Sequence, residues 1–310
     1  MSTLSHPNNS TTVRAESPSG GQKLAQSALL GLDAWAPTLA ARVATRWMFR
    51  TRRRAMEPWE REALESGERL SVEGRSGTLA AHRWGQGPLV LLVHGWDGRA
   101  TQLGAFVAPL VDAGFQVVAF DAPGHGASPG SSSSIVEFAN AFDAVLDAVR
   151  PFFRPLHGVI AHSMGGAAVT LALARAAGHW QSRDRQPSDG PLERPRLVFF
   201  APPIDLRDMT GAFSSALGLR GATRAAMESL VEKQLGTNLD EMHALRLAAA
   251  MRSPLLVQHD EADRAVPLEN GRRLAAAWPS AELRVTRGLG HSRILRDEVA
   301  VQRAVDFIRG

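Results

Sequence analysis

Ser163 stands in the run Val159-Ile160-Ala161-His162-Ser163-Met164-Gly165-Gly166, where an apolar strand-like segment meets a serine and then a helix-like stretch of small residues. A sharp strand-to-helix turn holds such a serine in strained backbone geometry with its hydroxyl presented outward, and only very small side chains fit two residues before and after it. Gly165 meets that demand, and Ala161 meets it with a methyl group where glycine is more usual. A serine hydroxyl is a weak nucleophile near neutral pH, so it needs a base, and the base needs an acid that fixes its tautomer. Two later segments offer both. Leu255 to Gln258 reads as a buried strand running into the acidic loop Asp260-Glu261-Ala262-Asp263, and Glu282 to Thr286 reads as a final strand opening into Gly288-Leu289-Gly290-His291. The chain order is Ser163, Asp263, His291.

These segments together resemble the α/β-hydrolase family, whose triad follows the order serine, acid, histidine. The resemblance implies that Asp263 is the acid, because Asp263-Arg264-Ala265-Val266-Pro267 matches the family's Asp-x-x-Val-Pro pattern, with Asp260 and Glu261 the weaker candidates. It implies that His291, in Gly-x-Gly-His, is the base and that His259 is structural. Leu89 to Gly98 resembles the family's strand with its His-Gly-x-x-Gly loop, which makes the backbone amides of Trp96 and Met164 the oxyanion-hole donors. Val117 to Ser128 resembles a further strand and turn, in which Asp121 holds the loop together. The four patterns run in family order from about residue 88 to 295.

The implied activity is that of a serine hydrolase of the esterase/lipase-like branch. It would cleave a small carboxylic ester with an apolar acyl part through an acyl-serine, with no metal or organic cofactor. The same triad serves acyltransferases, thioesterases and carbonyl–carbon bond hydrolases, and the same fold can serve as a noncatalytic receptor for a small molecule. Dehalogenases and epoxide hydrolases of this family use aspartate where Ser163 stands.

Composition sets the outer bounds. A chain of 310 residues with 44% hydrophobic content can bury a full core. With no cysteine, disulfides, thiolate catalysis and cysteine-ligated zinc are excluded. The pI of 10.6 accompanies a formal charge of only +4 and follows from the lack of tyrosine, cysteine and all but two lysines, so little titrates between histidine and arginine. It is no sign of nucleic-acid binding. Arginine in place of lysine, with much alanine, fits a GC-rich bacterial genome.

Apolar strands alternate with helical stretches from Leu89 to Thr286, which calls for a mostly parallel sheet with helices on both faces. Residues 1–22 are polar and read as a disordered leader, 23–69 as an N-terminal helical extension, and 70–310 as the α/β-hydrolase domain. A hairpin is expected at Gly74 to Gly77, and Gln181 to Pro195 reads as a solvated loop. The stretch at about 206–252 is too long for a simple crossover and reads as several helices, where the resemblance implies a cap. Met209, Phe213, Leu217, Met227, Leu230, Val231, Leu235, Met242 and Leu245 could line an acyl pocket, but packing of the cap onto the body is the favoured role for most and none is assigned to substrate binding. Leu32, Trp35, Leu39, Val43 and Trp47 recur at helical spacing, so Gln22 to about Arg53 reads as one amphipathic helix packed by that stripe. Its far end holds Arg42, Arg46, Arg50, Arg52, Arg53 and Arg54 with no acid between them. A solvated arginine face balanced by Glu57, Glu60 and Glu62 is the favoured reading, over attachment to an anionic membrane surface. Nothing resembles a signal peptide or a spanning segment, and the expected location is cytoplasmic. Oligomeric state is not legible.

Overall fold

The computed structural model describes residues 20–149, 156–178 and 194–310. Most of the expected leader and residues 181–193 of the expected loop lie outside the described residues. Three helices come first, α1 (Gly20–Trp35), α2 (Pro37–Phe49) and α3 (Pro58–Glu65). Strands β1 (Glu68–Gly74), β2 (Gly77–Trp84) and β3 (Leu89–Val93) follow, then α4 (Val107–Asp112), β4 (Gln116–Phe120), α5 (Ile135–Val149), β5 (Leu156–His162), α6 (Met164–Ala176) and β6 (Arg196–Phe200). Next are α7 (Leu206–Ala216), α8 (Gly221–Leu235), α9 (Ala244–Ala248), β7 (Leu255–Asp260), α10 (Leu268–Ala277), β8 (Ala281–Thr286), α11 (Gly290–Arg293) and α12 (Glu298–Arg309).

The eight strands form one sheet in the order β1-β2-β4-β3-β5-β6-β7-β8. Strand β2 runs antiparallel to both its neighbours, and every other pairing is parallel. The expected hairpin closes with Gly74 opposite Gly77. Alternation of side chains puts Leu89, Leu91 and Val93 of β3 into a core shared with α5 and α6, and Val90 and Leu92 into a second core with α12. Both faces are apolar because both are covered, as a parallel sheet requires. All the parallel strands therefore point their carboxyl ends the same way, and that end is where ligands bind in open α/β sheets.

The N-terminal region differs from its expectation. A single helix is replaced by two, because Ala36 leaves the helical region at φ −142° and Pro37 starts α2 at its first position. The break resets the helical phase. The buried face of α2 is Ala40, Ala41, Ala44, Thr45 and Phe49, while Trp35 is 92% exposed and Leu39 47% exposed. Small residues let α2 pack closely on α8, where Ala41 and Ala44 meet Met227. Helix α1 is tied to the same region by buried Asp33, which accepts from the Arg220 backbone N–H.

The six arginines of the run are all exposed, as expected, but the expected acidic balance is not there. Glu57 and Glu60 form the capping box of α3, and no ion pair joins the six arginines to Glu57, Glu60 or Glu62 among the described residues. Arg53 instead donates to the carbonyls of Gly126, Ser128 and Gly130. The Arg52 N–H donates to Asp97 Oδ1 at 2.8 Å, and Thr51 Oγ1 donates to the Gly124 carbonyl. The extension is thus stitched to the loops that follow β3 and β4.

Candidate active site

Ser163 is the hinge between β5 and α6, with φ 49° and ψ −120°. This left-handed backbone is costly for a residue with a side chain and persists only where the surroundings impose it. Here the Ser163 N–H donates to the Phe200 carbonyl of β6, and its own carbonyl accepts from Gly166 as α6 begins. Gly165 is required by contact rather than by conformation: a Cβ there would lie 2.5 Å from the Val93 carbonyl oxygen and 2.6 Å from that of His94. Gly165→Ala is expected to cost about 1–3 kcal/mol by overpacking. That corresponds to a melting temperature lowered by roughly 3–10 °C for a domain of this size. Unchanged melting by calorimetry would mean that the turn is looser than described.

Asp263 and His291 meet as expected. His291 Nδ1 lies 2.7 Å from Asp263 Oδ2, and Asp263 Oδ1 accepts from the N–H groups of Ala265 and Val266. This fixes the Nδ1–H tautomer and leaves Nε2 as a proton acceptor. Burial alone would raise the Asp263 pKa, but the His291 hydrogen bond and charge, with the two backbone donors, outweigh it and hold the carboxyl below the usual aspartate range. Asp260 anchors the His291 loop by accepting from Ala262 N–H, Thr286 Oγ1 and Leu289 N–H, and Glu261 faces Arg287 on the surface. Neither approaches the imidazole as Asp263 does.

Ser163 is 8% exposed, and its hydroxyl makes no hydrogen bond to a described residue. In free enzymes the nucleophile–base hydrogen bond is often long and tightens on binding substrate. The link between the two residues runs through His162, whose Nε2 donates to the His291 carbonyl at 2.9 Å and whose ring lies 4.6 Å from the His291 ring. Burial first, and the His291 ring second, push the His162 pKa down to about 3, so this histidine stays neutral beside His291. The sequence reading did not single it out, since its partner lies 129 residues away.

The loop after β3 approaches the elbow closely: a Cβ on Gly95 would lie 3.2 Å from Ser163 Cβ. His94 locks that loop, with Nδ1–H donating to the Gly95 carbonyl and Nε2 accepting from Ala122 N–H. The Gly95 N–H is taken by Gln102 Oε1. Among the described residues neither the Trp96 nor the Met164 N–H has an acceptor, and Met164 is the first residue of α6, where amides are free of the helix ladder. Asp121 accepts from the Ala100 and Ala127 N–H groups and holds two loops together.

Trp96 and Met164 both line a cavity of 1530 Å³. Its walls include Met209, Phe213 and Leu217 from α7 and its C-terminal end, Val231 and Leu235 from α8, and the stretch Trp47–Arg53 of the N-terminal extension. The sequence assigned no residue of the 206–252 segment to a pocket, and the contribution of the extension had no local signal in it. Arg50 and Arg52 line the cavity too, and their guanidinium groups have no acceptor among the described residues.

Five histidines, His82, His94, His125, His162 and His259, are held below their ordinary pKa chiefly by burial, His94 to about 3. As pH falls below about 6.5, the unfolded chain takes up protons that the folded chain refuses, so stability falls. Asp263 adds its own loss lower down, once pH drops below about 3.9. The melting temperature is therefore expected to decline steadily from pH about 7 to about 5. A flat profile across that interval would contradict the burial of these rings.

The chain belongs to the α/β-hydrolase family, whose sequence profile matches residues 90–303. Among curated proteins it is 26% identical over 251 residues to the non-heme chloroperoxidase CPO-A1 of Kitasatospora aureofaciens, covering 67% of this chain and 86% of that protein. It is 29% identical over 261 residues to a 2-hydroxy-6-oxononadienedioate/2-hydroxy-6-oxononatrienedioate hydrolase of Escherichia coli, covering 72% and 88%. Among solved structures the esterase Pf2001 of Pyrococcus furiosus superposes with a TM-score of 0.60 at 19% identity, covering 84% of this chain and 98% of that one. The chain shares the α/β-hydrolase fold with these proteins.

Proposed function

We propose that the protein hydrolyses carboxylic esters through an acyl-serine on Ser163, with His291 as base and Asp263 as the acid that orients it. The observation that carries this reading is the 2.7 Å Asp263–His291 hydrogen bond, at the same sheet end as a serine held at φ 49°. Ser163 Oγ attacks the ester carbonyl carbon while its proton passes to His291 Nε2. The charge on the carbonyl oxygen is met by the Trp96 and Met164 N–H groups. Collapse of the tetrahedral intermediate releases the alcohol, which takes the proton from His291. Water, deprotonated by His291, then cleaves the acyl-serine by the reverse sequence. No step in this sequence calls for a metal or an organic cofactor.

The apolar walls from α7 and α8 favour an ester with a substantial acyl chain. A panel of p-nitrophenyl esters from acetate to dodecanoate tests this, with kcat/KM expected to rise beyond the short acids. Absence of turnover across the whole panel would overturn the esterase reading and leave a receptor or a different acyl transfer. Arg50 and Arg52 favour a second reading, a substrate that also carries a carboxylate, as the dioate in the name of the Escherichia coli relative does. A carboxylate-ended ester added to the panel separates the two.

A further inference from the structure

Helices α1 and α2 present an outward face that nothing among the described residues covers. On α1, Leu24, Leu30 and Trp35 are 74%, 40% and 92% exposed. The other exposed residues between Leu24 and Trp35 are small: Ala25, Ser27, Ala28, Gly31 and Ala34. The one acid of this helix, Asp33, is turned inward onto Arg220. On α2, Leu39 shares its exposed side with Arg42 and Arg46, three and seven residues further on. Neither arginine has an acceptor among the described residues, and no acid occurs from Ala34 to Met56.

We propose that this face docks on an anionic lipid surface. An exposed tryptophan and leucines gain by entering the boundary between headgroups and acyl chains, where the amphipathic indole ring is well placed. The arginines beside them meet lipid phosphates, which supply the countercharge the protein itself does not. No helix among the described residues is long and apolar enough to cross a membrane, so the contact is peripheral. A second copy fits this face less well, because a two-fold contact sets the same patch against itself and brings Arg42 and Arg46 toward their own copies. The same two helices wall the cavity and hold α7 and α8, so docking would bring that wall to the surface from which a long-chain ester is drawn. The proposal stands apart from the acyl-serine reading, since vesicle binding needs no turnover.

The test is co-sedimentation of the full chain with vesicles of mixed phosphatidylcholine and phosphatidylglycerol, and with vesicles of phosphatidylcholine alone. Binding is expected to the mixed vesicles only and to weaken with added salt. Trp35→Ser with Leu39→Ser, and separately Arg42→Glu with Arg46→Glu, should each lower the partition coefficient about tenfold or more. All four side chains are solvent-facing, so melting curves should stay close to the native one. Failure to sediment with the mixed vesicles, equal binding to both vesicle types, or native-like binding by both variants overturns the proposal. So does a native dimer in sedimentation equilibrium that the Trp35→Ser, Leu39→Ser variant dissolves, which would assign the face to a second copy.

Discussion

Ser163→Ala is expected to lower kcat for a p-nitrophenyl ester by about 10⁴-fold or more while leaving the protein folded. The size of the loss follows from the division of labour at the site. In the proposed mechanism the Trp96 and Met164 amides and the cavity remain in the variant, so binding and part of the electrostatic stabilisation would survive, but no other group stands at the elbow to form the covalent bond. His162 and Met164 flank the position with side chains that cannot replace the hydroxyl, and the chain has no cysteine. Alanine keeps a Cβ at φ 49°, so the backbone strain is nearly unchanged and the melting temperature should stay close to that of the native protein. Stopped-flow or steady-state release of p-nitrophenolate reads the effect. A reduction of only a few-fold would move the nucleophile elsewhere.

The second large effect separates two histidines that share one carboxylate. His291 Nδ1 lies 2.7 Å and His259 Nε2 3.6 Å from Asp263 Oδ2. His291→Ala should cost about 10⁴-fold in kcat, because the serine loses its proton acceptor and the leaving group its donor. His259 is fully buried, and its Nε2 donates to the Val266 carbonyl, which fixes the turn that also carries the Asp263 acceptor contacts. A Cβ on Gly271 would lie 2.6 Å from its Nδ1, so α10 covers the ring. His259→Ala should therefore act on stability, lowering the melting temperature by several degrees through a cavity, and keep activity within about tenfold. Equal losses from the two substitutions would mean that the base has been misassigned.

What was legible in the sequence is what depends on neighbours along the chain. The small residues around Ser163 mark a strand end by local sterics, while the Val-Pro after Asp263 and the glycines before His291 were legible through the family resemblance, and those ends lie together because parallel strands share a direction. The mostly parallel sheet with helices on both faces and the hairpin at its start follow the same logic, from alternating strands and helices, whereas the strand order had no signal in the sequence. The N-terminal extension was misread where local continuity fails. Counting Leu32, Trp35, Leu39, Val43 and Trp47 as one stripe carries the phase across Ala36-Pro37, where the helix stops and restarts, and the alanines that form the true packing face of α2 have too little hydrophobic weight to be noticed. The wall that Trp47 to Arg53 contributes to the cavity, and the grip of His162 on His291, join segments more than a hundred residues apart and leave no periodic trace. Arg53 is a further case: it is exposed, as a run of cations suggests, and it also serves three backbone carbonyls of the loop after β4, contacts with no local signal in the sequence.

In the proposed mechanism the residue 163 oxygen is the atom that becomes acylated. Peptide mass mapping after reaction of the native protein with a fluorophosphonate tests it most directly. A single phosphonyl adduct is expected on Ser163, formed slowly or not at all once His291 is replaced. An adduct on another residue, or none on a native protein that still turns over esters, would contradict it.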